Sequence, residues 1–320
     1  MTSPPSRRFR RAAVPTAVVL GLLAVALLLF RLGPRREAPP PRRAEETVVV
    51  AGGDIACAPD ARPRARGAQA CQHGATAELA RRLDPDAVLA VGDIQYEDGS
   101  LSNFRASFDK TWGQLLDKLR PTPGNHEYRT QGAAGYFAYF AERAGDPSRG
   151  YYSFGLGSWQ LISLNGNCIR VGGCGAGSSQ EQWLREVLRT SAARCTLAYW
   201  HQARFSSGNH GNDARYDALW RALYEAGAEV IINAHDHSYE RFAPQDPDAR
   251  PDPERGIAQF VVGTGGKDLT DFGKVRANSE VRQNRFFGLL ELRLGKDGYR
   301  WRFLPVGDSD FSDTGSGTCH

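Results

Sequence analysis

Short apolar runs recur along this chain, each stopping at a glycine or a polar motif: Thr47–Ala51, Ala87–Val91, Gln160–Leu164, Thr196–Trp200, Val230–Ile232 and Gln259–Val262. They are β-branched or aromatic in character and too short for helices, so they read as buried strands. Helical patterns lie between several of them. Ser178-Ser179-Gln180-Glu181 has the form of a capping box ahead of Trp183, Leu184, Val187 and Leu188. Tyr216, Leu219, Trp220 and Leu223 follow i, i+3, i+4, i+7 spacing, with Gly227 placed to end that helix. A third stripe, Phe104, Phe108, Leu115, Leu116 and Leu119, predicts a helix stopped by Pro121. Towards the C-terminus, Phe287–Leu294 and Tyr299–Val306 alternate as strands around Gly295-Lys296-Asp297-Gly298. Strand–helix alternation followed by a meander predicts an α/β fold with two packed β-sheets flanked by helices.

Before the first strand the pattern is different. Residues 1–11 are a basic tail, and 12–32 form an apolar stretch whose core of nineteen residues would span roughly 28 Å as a helix, close to a bilayer core. Arginines ahead of the run also suit a signal peptide. No small-x-small cleavage site follows Phe30, which favours an uncleaved signal anchor. Residues 33–46 are rich in proline and charge and read as a linker, leaving 47–320 as one globular domain.

Six cysteines, an even number, suit three disulfides in an oxidising compartment. Cys168 and Cys174 flank a short glycine-rich loop; Cys57 with Cys71 and Cys195 with Cys319 are the natural remaining pairs among fifteen possible connectivities. With the hydrophobic N-terminus, this predicts a catalytic body outside the cytoplasm, anchored to the membrane, or secreted if the N-terminal segment is cleaved. The formal charge of +4 comes largely from arginines ahead of residue 47; beyond them the chain is close to neutral, and no nucleic-acid partner is expected.

Candidate chemistry gathers where the strands end. Asp54 follows Gly53 after the first strand, and Asp93 follows Gly92 after the second. A lone aspartate there is usually a turn or cap residue. Two at successive strand ends, with histidine motifs downstream, point instead to cation binding. Asp93 is the better candidate to bridge two ions, since one carboxylate offers two oxygens. In Pro121-Thr122-Pro123-Gly124-Asn125-His126-Glu127 a rigid turn presents the amide oxygen of Asn125 as a ligand and sets His126 over a substrate. His201 ends another strand. In Ala234-His235-Asp236-His237 the imidazoles are two apart, so an extended backbone would point both the same way.

In order, Gly-Asp, Gly-Asp-x-x-Tyr, Gly-Asn-His-Glu, His and Ala-His-x-His resemble the motifs of the calcineurin-like metallophosphoesterases, most of all the purple acid phosphatases. Ala56 stands where many metallophosphoesterases have a histidine. Tyr96, three residues past Asp93, replaces that ligand as in the purple enzymes, and His235 to Arg241 is similar to their His-x-His-x-Tyr-Glu-Arg segment. Two departures are Ala234 in place of the usual glycine and the lack of the plant enzymes' N-terminal β-domain. The resemblance implies a four-layer α/β/β/α sandwich holding two metal ions. The first would take Asp54, Asp93, Tyr96 and His237; the second Asp93, Asn125, His201 and His235. A phenolate ligand favours Fe(III) in the first position, and the second suits Zn(II), Mn(II) or Fe(II). The implied reaction is hydrolysis of a small phosphate monoester by a metal-bound hydroxide. His126 would stabilise the phosphoryl charge or protonate the leaving oxygen, with His210 as a second candidate for that role. A phosphodiesterase or nucleotidase on the same centre is the alternative enzyme. A non-catalytic surface-binding protein keeping the fold is the alternative of another class.

Overall fold

The computed structural model describes residues 46–61 and 71–320. The basic tail, the apolar segment 12–32 and nearly all of the linker lie outside them. Among the described residues no helix is long and apolar enough to cross a membrane.

Among the described residues thirteen strands form two sheets. The first holds β1 (Thr47–Gly52), β2 (Ala87–Val91), β3 (Leu119–Thr122), β11 (Gly288–Leu294), β12 (Gly298–Pro305) and β13 (Thr314–Thr318) in the order β13-β12-β11-β1-β2-β3. The second holds β4 (Tyr152–Leu156), β5 (Trp159–Ser163), β6 (Cys195–Gln202), β7 (Val230–Ala234), β8 (Tyr239–Gln245), β9 (Ile257–Val262) and β10 (Ser279–Gln283) in the order β10-β8-β9-β7-β6-β5-β4. Parallel pairs form one side of the first sheet, β1–β2 and β2–β3, and the centre of the second, β5–β6, β6–β7 and β7–β9.

The two-residue repeat of a strand sorts these side chains into layers. Val49, Ala51, Leu89 and Val91 face Leu161, Leu197, Tyr199 and Ile232 between the sheets. Val50, Val88 and Ala90 face the other way, into a second core with helices α1 (His73–Leu83), α2 (Leu101–Ala106) and α3 (Ala134–Phe140). Ile162, Ala198, Trp200 and Ile231 meet α4 (Ser179–Thr190) and α5 (Asp217–Glu225) on the far side. Three apolar interfaces thus separate four layers, α/β/β/α, as the sequence implied. Central strands buried on both faces read as unbroken apolar runs, which is why they were legible.

Both predicted helix signals hold. Ser178 Oγ accepts from the Glu181 amide at 3.3 Å, and Gly227 adopts a left-handed φ of 75° just past α5. The third stripe is not one helix. It breaks into α2, the 3-10 turns Phe108–Lys110 and Trp112–Lys118, and then strand β3, which contains Leu119 and Pro121. Ser107 explains the first break: its hydroxyl bonds the Cys57 carbonyl at 2.7 Å, while Gln95 Oε1 takes the Phe108 amide at 3.1 Å. These tertiary partners replace the helical ones. The disulfides Cys57–Cys71, Cys168–Cys174 and Cys195–Cys319 all form.

Candidate metal centre

The carboxyl ends of the parallel strands of both sheets meet at one place, the usual position for a site in open α/β sheets. The first sheet contributes Asp54 after β1, Asp93 and Tyr96 after β2, and Asn125 after β3; the second contributes His201 within β6 and His235 and His237 after β7. Asp54, Asp93, Tyr96, His201, His235 and His237 are linked there by direct contacts, and Asn125 lies between Gly124 and His126, which both approach Asp93. Asp54, Asp93 and His201 are 2% exposed or less.

The backbone is bent sharply to reach this arrangement. Asp54, Asp93 and His235 all have positive φ, of 58°, 46° and 72°, a conformation costing about 1–3 kcal/mol for residues with a Cβ and concentrated at functional sites. The glycines alongside make room. Gly92 has φ 76°, and a methyl group there would lie 2.6 Å from the His201 ring. One at Gly124 would overlap the amide and carboxylate of Asp93.

Tyr96 OH lies 2.6 Å from Asp54 Oδ1, 3.2 Å from Asp93 Oδ2 and 3.0 Å from His237 Nε2. His237 Nε2 is 3.2 Å from Asp54 Oδ1. In the second group, His201 Nε2 is 3.1 Å from Asp93 Oδ2 and 3.2 Å from His235 Nδ1. The hydrogen-bond inventory of these atoms is revealing. His201 Nδ1 faces the Val91 carbonyl at 2.9 Å, which only accepts, so Nδ1 carries a hydrogen and Nε2 is the nitrogen turned towards Asp93. His237 Nδ1 likewise donates to Asp268 Oδ1 at 2.5 Å, leaving Nε2 to face Asp54 and Tyr96. Asn125 Oδ1 is buried with no hydrogen-bond partner among the described residues. Buried carboxylates packed this closely, with a buried amide oxygen in the next loop left without a donor, call for positive charge, from a bound cation or from protons on the imidazoles. The donors are oxygen and imidazole nitrogen, a set suited to iron, zinc or manganese. Thiolate is not on offer, since Cys57 is bonded to Cys71.

Charge is distributed accordingly. Burial opposes a proton on His237, but Asp54 and Asp268 outweigh it and raise its pKa to about 11. His201 is raised to about 9 by Asp93 and Asp54, again against burial. His235 goes the other way, down to about 4, through burial and the neighbouring His201 and His210. Burial and the two aspartates push the Tyr96 phenol well above its ordinary value. Without a cation the protein would have to answer two buried carboxylates with protons on imidazoles.

One expectation fails here. His235 and His237 do not lie on an extended backbone. Strand β7 ends at Ala234, His235 turns left-handed, and close turns follow from the Asp236 amide to Ala234 O (2.9 Å) and from the Ser238 amide to Asp236 O (2.7 Å). The two rings therefore part, His235 going to His201 and His237 to Asp54 and Tyr96. That divergence suits two positions better than a common direction would.

His126 sits beside this cluster. Its amide donates to Asp93 Oδ1 at 2.7 Å, its Nδ1 to the Glu97 carbonyl at 2.7 Å, and its Nε2 is 3.8 Å from Asp93 Oδ2. His210 stacks on His235 with ring centroids 3.9 Å apart, and Asp236 Oδ1 holds its Nδ1 at 2.9 Å. Asp236 in turn accepts from Ser206 Oγ at 2.5 Å. The Asp236 hydrogen bond raises His210 above its ordinary pKa.

Sequence reasoning assigned no role to Glu127, Lys267 or Asp268. Glu127 is fully buried and takes the amides of Ile94 (2.9 Å), Gln95 (3.2 Å) and Gly124 (2.7 Å), locking the Asp93 loop to the Asn125 loop. The only local signal for Lys267 and Asp268 is the Gly263-Thr264-Gly265-Gly266 turn just before them, which does lie against the site: Gly265 donates to the Gly53 carbonyl at 2.9 Å.

A model of the calcineurin-like phosphoesterase family matches residues 49–239. The chain belongs to that family. Among curated members of this phosphoesterase family, Purple acid phosphatase 15 of Arabidopsis thaliana is 27% identical over 194 residues, 49% of this chain and 36% of that protein. Purple acid phosphatase 21 of the same plant is 28% identical over 191 residues, 53% of this chain and 41% of that one. The matched region thus spans well under half of those relatives' own length. Of solved structures, the purple acid phosphatase PPD1 from yellow lupin (Lupinus luteus) seeds has a TM-score of 0.70 at 18% identity, over 87% of this chain and 55% of that one. GAP50, the anchor in the inner membrane complex of Plasmodium, has a TM-score of 0.59 at 13% identity, over 84% of this chain and 88% of that one. At those identities the likeness is one of fold.

Proposed function

We propose that this domain is a binuclear metal phosphoesterase hydrolysing small phosphate monoesters, in the manner of an acid phosphatase. The observation that carries the proposal is the meeting of two aspartates, a phenol and three imidazoles from two sheets, with the buried Asn125 amide oxygen in the adjoining loop left without a hydrogen-bond donor. Asp54, Tyr96 and His237 would hold one ion, Asn125, His201 and His235 the other, with Asp93 between them. Fe(III) is the reading for the Tyr96 position, and Zn(II), Mn(II) or Fe(II) for its neighbour. Such ions, when bound, polarise a phosphoryl group and activate water.

The chain's own part is to aim and to move a proton. His126, its Nδ1 committed to Glu97, has only Nε2 free to meet a phosphoryl or leaving oxygen. His210, held by Asp236 and stacked on His235, is the second group able to deliver a proton. The three disulfides favour an oxidising, extracytoplasmic setting, and the apolar segment 12–32 is read as the tether to a membrane.

Metal analysis with a visible spectrum of the purified protein tests this reading. The expected result is two ions per chain and a tyrosinate–Fe(III) charge-transfer band lost in Tyr96→Phe. A chain that takes up no metal would overturn the proposal. Monoester and diester substrates side by side then decide the substrate class, a diester preference giving the phosphodiesterase alternative.

A further inference from the structure

The segment directly after the glycine turn, Lys267-Asp268, touches every residue that the first proposed position does not share with the second. Its backbone reaches Asp54: the Lys267 amide donates to the Asp54 carbonyl at 2.9 Å. Its first side chain reaches Tyr96, with Lys267 Nζ 4.8 Å from the centre of the phenol ring. Its second reaches His237, through Asp268 Oδ1. None of this follows from chain proximity, since Asp268 is 31 residues from His237 and Lys267 is 170 from Glu97, its ion-pair partner.

The segment is itself held in place. Cys71 donates its amide to the Lys267 carbonyl at 3.0 Å, and Gln72 to that of Gly266 at 2.8 Å. Cys71 is bonded to Cys57, three residues past Asp54. The Lys267 side chain is 16% exposed, pinned by Glu97 on one side and the Tyr96 ring on the other. The Glu97 carbonyl also receives His126 Nδ1, so the same bracket extends to the proposed proton donor.

We propose that Lys267 and Asp268 are positioning residues dedicated to the Tyr96 cation position. Asp268 fixes the direction of the His237 ring, so that Nε2 meets the ion. Lys267 sets the donor strength of the phenol through a positive charge over its π face, which draws ring electrons down in energy. This rests on the two-metal reading above and adds to it an unequal division of labour: one position is tuned by side chains the other lacks.

The test uses the full-length chain loaded with Fe(III) and Zn(II). Asp268→Ala should surrender iron to a competing chelator about 10–100-fold more readily than the parent, as loss of an outer hydrogen-bond partner does elsewhere. Asp268→Asn, which keeps an acceptor, should recover most of that. Lys267→Met should keep iron but move the charge-transfer band to longer wavelength, because the phenol electrons are no longer held down; Lys267→Arg should restore it. Loss of zinc should not change in either series. An unshifted band in Lys267→Met overturns the role of Lys267, and parental iron retention in Asp268→Ala that of Asp268, even if both proteins remain active. A parent chain that binds no iron and shows no band instead removes the two-metal reading, so the two failures are distinct.

Discussion

Around Asp54, Tyr96 and His237 the donor atoms already lie within 2.6–3.2 Å of one another and are backed by the charged side chains Asp268 and Lys267. Around Asn125, His201 and His235 the picture is sparser. Asn125 Oδ1 has no hydrogen-bond partner among the described residues, His201 is oriented by a neutral carbonyl, and His235 faces another imidazole. The first proposed position would offer a carboxylate and a phenol of its own; the second would offer neutral donors and borrow its charge from Asp93. Anionic oxygen favours a harder, more highly charged ion, and neutral nitrogen a divalent one that exchanges more freely. Under the two-metal proposal, positions that share one carboxylate would thus be given different chemistry by what stands behind them.

Removing the shared residue should erase the contrast. Asp93→Ala is expected to lose both ions and to cut turnover by more than about 10³-fold, since each position loses its bridging charge; full occupancy by metal analysis would contradict the bridging role. His126→Ala should leave both positions filled while turnover drops about 10²–10⁴-fold, the usual worth of a positioned proton donor. Lost metal in that variant would recast His126 as a structural residue. Gly92→Ala separates the two positions. The new methyl group meets the His201 ring in a backbone of positive φ, so metal content should fall from two ions to one with the charge-transfer band intact. The smallest effect is one of order: a mild chelator should empty the Asn125 position before the Tyr96 position, followed as loss of zinc before loss of colour. Simultaneous loss would mean that the outer charges do not matter.

What could be read from the chain alone divides along similar lines. Central strands were visible because burial on both faces leaves an unbroken apolar run. Strands with a polar or irregular pattern were not: β13 is Thr-Gly-Ser-Gly-Thr, β3 carries a proline, and β8 and β10 place glutamate and arginine in regular pairing. The ligand candidates stood out because each follows a strand end or lies within a glycine motif. Lys267 and Asp268 carry no such mark; a lysine and an aspartate after a glycine turn look like solvent-facing loop residues until the Tyr96 and His237 rings are seen beneath them. The course of the chain at His235 was misjudged for a related reason. A left-handed turn at a residue with a Cβ is held by its surroundings, here the Asp54 Oδ2 that takes the His235 amide at 2.9 Å, and local sequence does not announce it.

The origin of the donors in both sheets has a mechanical consequence. Neither proposed ion could bind without joining the two halves of the sandwich: the first links β1 and β2 to the turn after β7, the second links β2 and β3 to β6 and that same turn. Each would act as a rivet through the seam, and occupancy would enter directly into how hard the halves are to pull apart. At a hundredfold excess over its dissociation constant a single ion adds about 2.7 kcal/mol to the folded state. A cell that starved this protein of metal would therefore be left with a looser scaffold as well as an idle catalyst.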